Sequence, residues 1–173
     1  KDLIVRGRLY LSVGAEANVS IGDGCVFSSG AGLNPLSRNI MTSITVEDNA
    51  SLRIGHGCGF SSCCLWAHED ITIGNNVNIG ADTLIFDSDA HSLSFIDRRD
   101  IVLDMANKMN SPIVIKDDVL VGTRCIIMKG VTIGARSIVG SGSVVVGDIP
   151  DDCIAAGNPA RVVKRLDVFK AEV

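Results

Sequence analysis

The chain has 173 residues and a formal net charge of −4, and hydrophobic residues make up 46% of it while aromatic residues make up only 4%. This length predicts a single domain, and the acidic balance disfavours nucleic acid or an anionic membrane surface as the main partner. The sequence has no apolar run near the roughly 20 residues that span a bilayer, and it opens without a signal-peptide pattern, so membrane insertion is not expected.

The first half of the chain carries an apolar repeat with a period of six residues. The repeat is loose over residues 1–33, and its register breaks at Pro35, so residues 34–43 are predicted to form a short excursion. A strand is predicted at residues 44–46. The spacing becomes strict at Ile73, Ile79 and Ile85, and His91 is the next residue in the same count.

The clearest part of the repeat runs from residue 113 to residue 146. Aliphatic residues fall six apart, and a small or branched residue precedes each by two positions: Ile115, Val121, Ile127, Ile133, Val139 and Val145, preceded by Ile113, Val119, Cys125, Val131, Ser137 and Ser143. Strands of about three residues joined by tight corners have this period. Gly, Asn and Asp gather at the corners, where a positive φ is often needed. The sequence therefore predicts an all-β fold, a parallel β-solenoid whose narrow interior suits stacked Ile and Val.

Two segments depart from the repeat. Residues 92–111 carry mixed charges without a six-residue period, which predicts a protruding loop, and loops on a rigid scaffold are more often functional than incidental. A solvated insertion without a function is the alternative. Residues 161–173 have apolar positions consistent with a short amphipathic helix. We therefore predict a β-helix domain over residues 1–160, with the loop 92–111 inserted, and a helical cap over residues 161–173.

Some residues that should face away from the solenoid interior are apolar. They are Leu120, Ile126, Ile138 and Val144, and a coil of three hexads would stack Leu120 on Ile138 and Ile126 on Val144. Exposed apolar stripes usually mark an interface. Self-association into a closed ring follows as a hypothesis.

The hexads, the segment Asp-Ser-Asp-Ala-His at residues 87–91, the loop after it and Ala-Gly-Asn-Pro-Ala-Arg-Val at residues 156–162 resemble the hexapeptide-repeat acyltransferases. The most similar branch contains the maltose, galactoside and surface-polysaccharide O-acetyltransferases. The resemblance implies a left-handed parallel β-helix, a homotrimer, and acetyl-CoA held in a groove between subunits. It also implies O-acetylation of a sugar or polysaccharide precursor. The left-handed sense rests on the resemblance alone, because ordinary parallel crossovers are right-handed.

His91 matches the family's catalytic histidine, just before the loop. An imidazole can take a proton from a sugar hydroxyl as its oxygen attacks a thioester. Asp87 and Asp89 could orient the ring, and Asp89 is the preferred candidate. His56 and His68 are interpreted as solvated corner residues, although His68 could lie on the acceptor side of the groove.

The cofactor contacts are carried over from the family. Positions matching Thr123 and Ser141 contact pantetheine, and a backbone N–H near Thr123 could stabilise the oxyanion. Arg161 matches a position that reaches the nucleotide. The family often has Thr-Lys where this chain has Val146 and Gly147, so Gly147 occupies a cofactor position without the charged side chain.

Several alternatives stay open. One general base serves N-acetylation of an amino sugar as well as O-acetylation. A γ-carbonic-anhydrase-like zinc enzyme would need three histidine ligands, whereas the three histidines of this chain are widely spaced. A non-catalytic scaffold solenoid would need a regular outward ladder. The six cysteines lack zinc-type spacing, so we expect no metal site and a reducing, cytoplasmic location.

Overall fold

Short strands follow one another in the order first, second and third sheet, so that every three strands complete one coil of a three-sided solenoid. The computed structural model describes residues 2–30, 32–37 and 40–167. Coils 1 to 3 contain β1 (Ile4–Gly7), β2 (Leu9–Val13), β3 (Asn18–Ile21), β4 (Val26–Ser29), β5 (Thr42–Val46), β6 (Ser51–Ile54), β7 (Gly59–Ser61), β8 (Cys64–Ala67) and β9 (Asp70–Ile73).

The remaining coils contain β10 (Asn78–Ile79), β11 (Leu84–Phe86), β12 (Ile113–Ile115), β13 (Leu120–Val121), β14 (Ile126–Ile127), β15 (Thr132–Ile133), β16 (Ile138–Val139), β17 (Val144–Val145), β18 (Cys153–Gly157) and β19 (Ala160–Arg165). They continue the same order as far as β17, after which β18 and β19 both belong to the sheet of β1. We call the three sheets sides 1, 2 and 3. Side 1 starts with β1, side 2 with β2 and side 3 with β3, and each corner is named by the two sides that it joins.

The hexad register predicted from the sequence is confirmed. Leu120 pairs with Ile138, and Ile126 with Val144, each eighteen residues later, so three hexads make one coil. The twelve residues predicted to face inward between Ile113 and Val145 are all buried. The early coils hold two larger side chains, and the rings of Phe27 and Phe60 stack with centroids 4.6 Å apart.

Corner 3–1 uses left-handed backbone at one position in each coil, as the Gly, Asn and Asp pattern predicts. After two glycines, this position is Asn76, Asp118, Arg136 and Asp152, with φ between 56° and 60°. The arginine was not foreseen. Its guanidinium donates to both carboxylate oxygens of Asp152, which lies one coil further on, so a side-chain pair stabilises the corner at this level.

The predicted C-terminal helix is wrong over the part that the structure describes. Residues 160–165 form β19, which pairs antiparallel with β18 and extends side 1 beyond the predicted boundary at residue 160. A strand forms here instead of a helix because β18 offers an edge whose backbone groups β19 can pair with, and because Val162 and Val163 are β-branched. Residues 168–173 of the predicted helix lie outside the described residues.

The segment between β11 and β12 also differs from the predicted loop. It contains a 3₁₀ turn (Asp97–Arg99) and a helix, α1 (Ile101–Asn107), which a six-residue count could not reveal. In the described ranges, no helix has the length and apolar character needed to cross a bilayer. The cytoplasmic location stays a prediction.

Close stacking of coils leads to a first testable prediction. A Cβ at Gly22 would lie 2.6 Å from the backbone carbonyl of Gly55, whereas a Cβ at Gly147 would meet no atom within 4 Å. We expect Gly22→Ala to lower the free energy of unfolding by about 1–3 kcal/mol, because backbone must shift to admit the methyl group. Gly147→Ala is the control. Equal thermal unfolding midpoints for the two variants would contradict this packing.

Candidate active site

His91 projects from a neck at corner 2–3, where the chain leaves β11 for the long insertion. Ser111 N–H donates to the Asp87 carbonyl and Asp89 N–H donates to the Met109 carbonyl, both at 2.9 Å. These bonds make a short antiparallel neck. Ala90 follows in the left-handed region, with a φ of 61°, and this turn directs the chain into His91.

The His91 ring is held by a carboxylate that the sequence analysis did not identify. Nδ1 of His91 lies 2.6 Å from Oδ2 of Asp104, and the Asp104 side chain is 5% exposed whereas that of His91 is 63% exposed. The other carboxylate oxygen of Asp104 accepts the N–H of Ser92 at 2.7 Å. The His91 hydrogen bond, followed by the Ser92 N–H, lowers the pKa of Asp104. An ionised carboxylate only accepts, so Nδ1 is the donor in this contact, and a neutral His91 ring has its lone pair on Nε2.

Asp104 reaches this position because it lies on α1. The Asp100 side chain caps the helix by accepting from the N–H groups of Val102 and Leu103. Asp97 accepts hydrogen bonds from Ser92 Oγ and Asn107 Nδ2, both at 2.9 Å, which ties the two ends of the insertion together. The sequence signal for this helix and its buried carboxylate was a capping aspartate, Asp100, followed four residues later by Asp104.

Asp89 does not orient His91, contrary to our expectation. Its carboxylate lies 3.5 Å from the ammonium group of Lys129, on the next coil, and its side chain is 15% exposed. Asp89 leaves β11 on the same short neck as His91, but the turn at Ala90 sends the two side chains to different partners. The carboxylate that contacts the His91 ring in the structure is that of Asp104.

The Asp87 side chain contacts the backbone of a neighbouring corner. Its fully buried carboxylate accepts the backbone N–H groups of His68, Glu69 and Asp70 at 2.7, 2.9 and 2.7 Å. A corner has N–H groups without sheet partners, and an ionised side chain satisfies three of them at once. Asp87 therefore fixes the corner of coil 3 directly beneath the neck.

The two other histidines lie at different corners. His56 is exposed, as expected of a solvated corner residue, whereas His68 is half-buried. Nδ1 of His56 accepts the N–H of Asp23 at 2.9 Å. Nδ1 of His68 lies 3.0 Å from the Lys108 ammonium group, and its ring centroid is 4.7 Å from that of Trp66. Within the described part of the chain, no three His, Cys, Asp or Glu side chains are grouped as metal ligands.

The residues carried over as cofactor contacts fall in two places. Thr123 and Ser141 lie at corner 1–2, where the Thr123 hydroxyl donates to the Ala81 carbonyl at 2.6 Å. A Cβ at Gly122 would lie 2.6 Å from the Ser141 nitrogen, so the coils there touch backbone to backbone. Gly147 and Arg161 instead line one cleft of about 290 Å³ beside corner 2–3.

Comparison with known proteins gives a consistent picture. A family model described as bacterial transferase hexapeptide, six repeats, matches residues 112–147. The chain is 47% identical over 57 residues to a 2,3,4,5-tetrahydropyridine-2,6-dicarboxylate N-acetyltransferase of Clostridium perfringens, a match that covers 33% of this chain and 24% of that protein. The chain spans less than half the length of the curated relatives that it matches first.

Solved structures extend the similarity to most of the chain. A maltose O-acetyltransferase from Clostridium difficile 630 is 30% identical, with 90% of this chain and 70% of that chain covered and a TM-score of 0.48. A hexapeptide-repeat-containing acetyltransferase from Vibrio cholerae is 27% identical, with 92% and 72% covered and a TM-score of 0.53. The second of these supports the solenoid fold as well as the sequence relationship.

The contact between His91 and Asp104 predicts a specific tautomer. We expect a neutral His91 ring to carry its proton on Nδ1, and the ¹⁵N chemical shifts of the ring to report this in long-range ¹H–¹⁵N spectra. Asp104→Ala should remove the preference, because no carboxylate then accepts from Nδ1. Asp89→Asn is the matched control and should leave the His91 spectrum unchanged. The opposite pattern would restore Asp89 as the orienting group.

Proposed function

Because the chain belongs to the hexapeptide-repeat acyltransferase family, we propose that it is an acetyltransferase that transfers the acetyl group of acetyl-CoA to a hydroxyl group of a sugar or polysaccharide precursor. The observation that carries the proposal is the His91–Asp104 pair. The carboxylate holds Nδ1, and the ring is exposed enough for an acceptor to approach Nε2. This is the arrangement that a general base requires.

In the proposed reaction, Nε2 of His91 takes the proton of the acceptor hydroxyl while its oxygen attacks the thioester carbonyl. The C–O bond forms, the C–S bond breaks, and the proton passes from the imidazolium ring to the departing CoA thiolate. The Asp104 carboxylate stabilises the imidazolium in between, as a buried acid does beside a catalytic histidine. We assign the stabilisation of the oxyanion to a backbone N–H near Thr123.

The division of the cofactor residues between two corners supports a site shared by two copies of the chain. We propose that acetyl-CoA lies in a groove between subunits of a homotrimer with left-handed coils, as in the family. Thr123 and Ser141 would line the pantetheine arm. Gly147 and Arg161 would meet the nucleotide end, because they share one cleft.

Outward apolar residues support the same assembly. Leu120 is 46% exposed in the single chain, and it pairs with Ile138 on side 1, while Ile126 pairs with Val144 on side 2. These pairs form apolar columns on two adjacent sides. Burying them between subunits would remove apolar surface from water, which is the main favourable term in association.

An amine acceptor is the second candidate. The curated N-acetyltransferase of Clostridium perfringens that resembles this chain favours it. A general base at His91 can accept the proton lost by an attacking amine as well as that of a hydroxyl group, so His91 does not discriminate between the two kinds of acceptor. Assays with each sugar in its hydroxyl and amino forms separate the two candidates.

The role of His91 is tested by substitution. We expect His91→Asn to lower kcat by about 10² to 10⁴ with saturating acceptor, because the base is lost while the size of the side chain is nearly kept. CoA release from acetyl-CoA measures turnover, and calorimetry should show an almost unchanged Kd for acetyl-CoA. His56→Gln is the control, since His56 lies at another corner. Near-full turnover of His91→Asn would place the base elsewhere.

A charge introduced into the proposed subunit interface tests the trimer. We expect Ile126→Glu or Ile138→Glu to dissociate the assembly, because an unpaired carboxylate in an apolar interface costs several kcal/mol. Sedimentation of the wild-type protein should give three chains. Val163→Glu, on an exposed position of β19, should leave the assembly intact. A monomeric wild-type protein at micromolar concentration would contradict the proposal.

A further inference from the structure

The insertion that carries His91 is not anchored to its own solenoid by apolar packing. Five of its large apolar side chains are at least 60% exposed in the single chain: Leu93, Phe95, Ile96, Ile101 and Val102. The one buried residue of α1 is the acidic Asp104, which points to His91 rather than to the core. Polar contacts must therefore set the position of the insertion on its own coils.

One side-chain hydrogen bond joins the far end of the insertion to the solenoid. Lys108 follows α1 directly, and its Nζ lies 3.0 Å from Nδ1 of His68, forty residues earlier at the corner of coil 3. That corner is rigid, because the buried Asp87 carboxylate holds its three N–H groups. Lys108 lies about one helical turn after Asp104, so the contact holds the C-terminal end of the helix that carries the His91 partner.

The bond can form only while His68 is neutral. An ammonium group has donors and no acceptor, so Nδ1 of His68 must accept and its proton must sit on Nε2. Burial is the main reason that the pKa of His68 lies below its usual 6.5, and the Lys108 charge lowers the pKa further. Glu47, which accepts from Trp66 Nε1, and the Asp87 carboxylate act in the opposite direction but do not prevail.

We propose that Lys108 and His68 form a latch that positions Asp104 and His91 on the solenoid, and that protonation of His68 opens it. The effect on catalysis rests on the proposed function, in which His91 is the base. The latch itself rests on the contact between Lys108 and His68 and is independent of that function. A protonated His68 has no lone pair at Nδ1, and two cations would then face each other at hydrogen-bond distance, so the contact changes from attraction to repulsion.

The pH dependence follows from the direction of the shift. The folded protein binds a proton at His68 less readily than the unfolded chain does, so the stabilisation by the latch is present above pH 6.5 and is lost as the pH falls through the lowered pKa. Asp104 stays ionised over this range, because its own pKa is lowered. Protonation of Asp104 therefore does not contribute to the opening in this range.

Hydrogen exchange of the complete protein tests the latch without any assay of activity. Exchange of the α1 amides, corrected for the intrinsic rate, is measured from about pH 8 to about pH 4.5. We expect wild-type α1 to exchange about tenfold faster at the acid end, with a midpoint below 6.5. Lys108→Met should be fast at every pH. His68→Gln should be slow at every pH, because the amide oxygen still accepts from Lys108 and does not titrate.

Lys116→Met is the matched control, because Lys116 pairs with Asp151 and lies at corner 3–1. It should exchange as the wild type does. Equal protection of α1 in wild type and Lys108→Met at about pH 8, or an acid opening that persists in His68→Gln, would overturn the latch.

Kinetics then test the positioning role. We expect Lys108→Met to lower kcat by about 10- to 100-fold with an unchanged KM for acetyl-CoA, since small displacements of a catalytic group have costs of this size. Lys108→Arg should restore part of the rate. An unchanged kcat in Lys108→Met would overturn the positioning role. A wild-type protein that transfers no acetyl group to any acceptor would instead overturn the proposed function, and the exchange experiment would still decide the latch.

Discussion

Backbone pairing between successive coils is the constraint on which every other feature of this protein depends. Each strand of the interior coils is hydrogen-bonded to a strand on the coil before it and to one on the coil after it, so the sides cannot accept extra residues. The glycines at Gly22, Gly80 and Gly122 show how closely the corners stack, since a Cβ at any of them would meet backbone of the next coil. Departures from the repeat are therefore confined to corners, and the long insertion at corner 2–3 is such a departure.

The insertion and the solenoid are built on different physical principles. The solenoid is held by stacked aliphatic side chains and by its parallel ladders, which make it rigid. The insertion is held by carboxylates: Asp100 caps α1, Asp97 bridges its two ends, and Asp104 joins His91 to Ser92. A catalytic group gains orientation from such a network, and it can also respond to protonation, which an apolar core cannot do.

A single chain holds the proposed base and the proposed pantetheine contacts on different edges of side 2. His91 and Gly147 belong to corner 2–3, whereas Thr123 and Ser141 belong to corner 1–2. The apolar columns on sides 1 and 2 offer a means to bring a corner of one copy next to a corner of another. Assembly and catalysis would then be coupled, because the groove for the thioester would exist only in the oligomer.

The sequence by itself determined the hexad register, the inward residues, the corners marked by Gly, Asn and Asp, and the place of His91 at the start of the insertion. These features are local, because a period of six residues is enough to specify which side chains are buried. Only the tertiary structure decided that Asp104 rather than Asp89 orients His91, that Lys108 contacts His68, and that residues 160–165 form a strand. Asp104 and Lys108 meet partners 13 and 40 residues away, and β19 forms because β18 has a free edge. Contacts of this kind depend on the folded path of the chain, and no repeat in the sequence records that path.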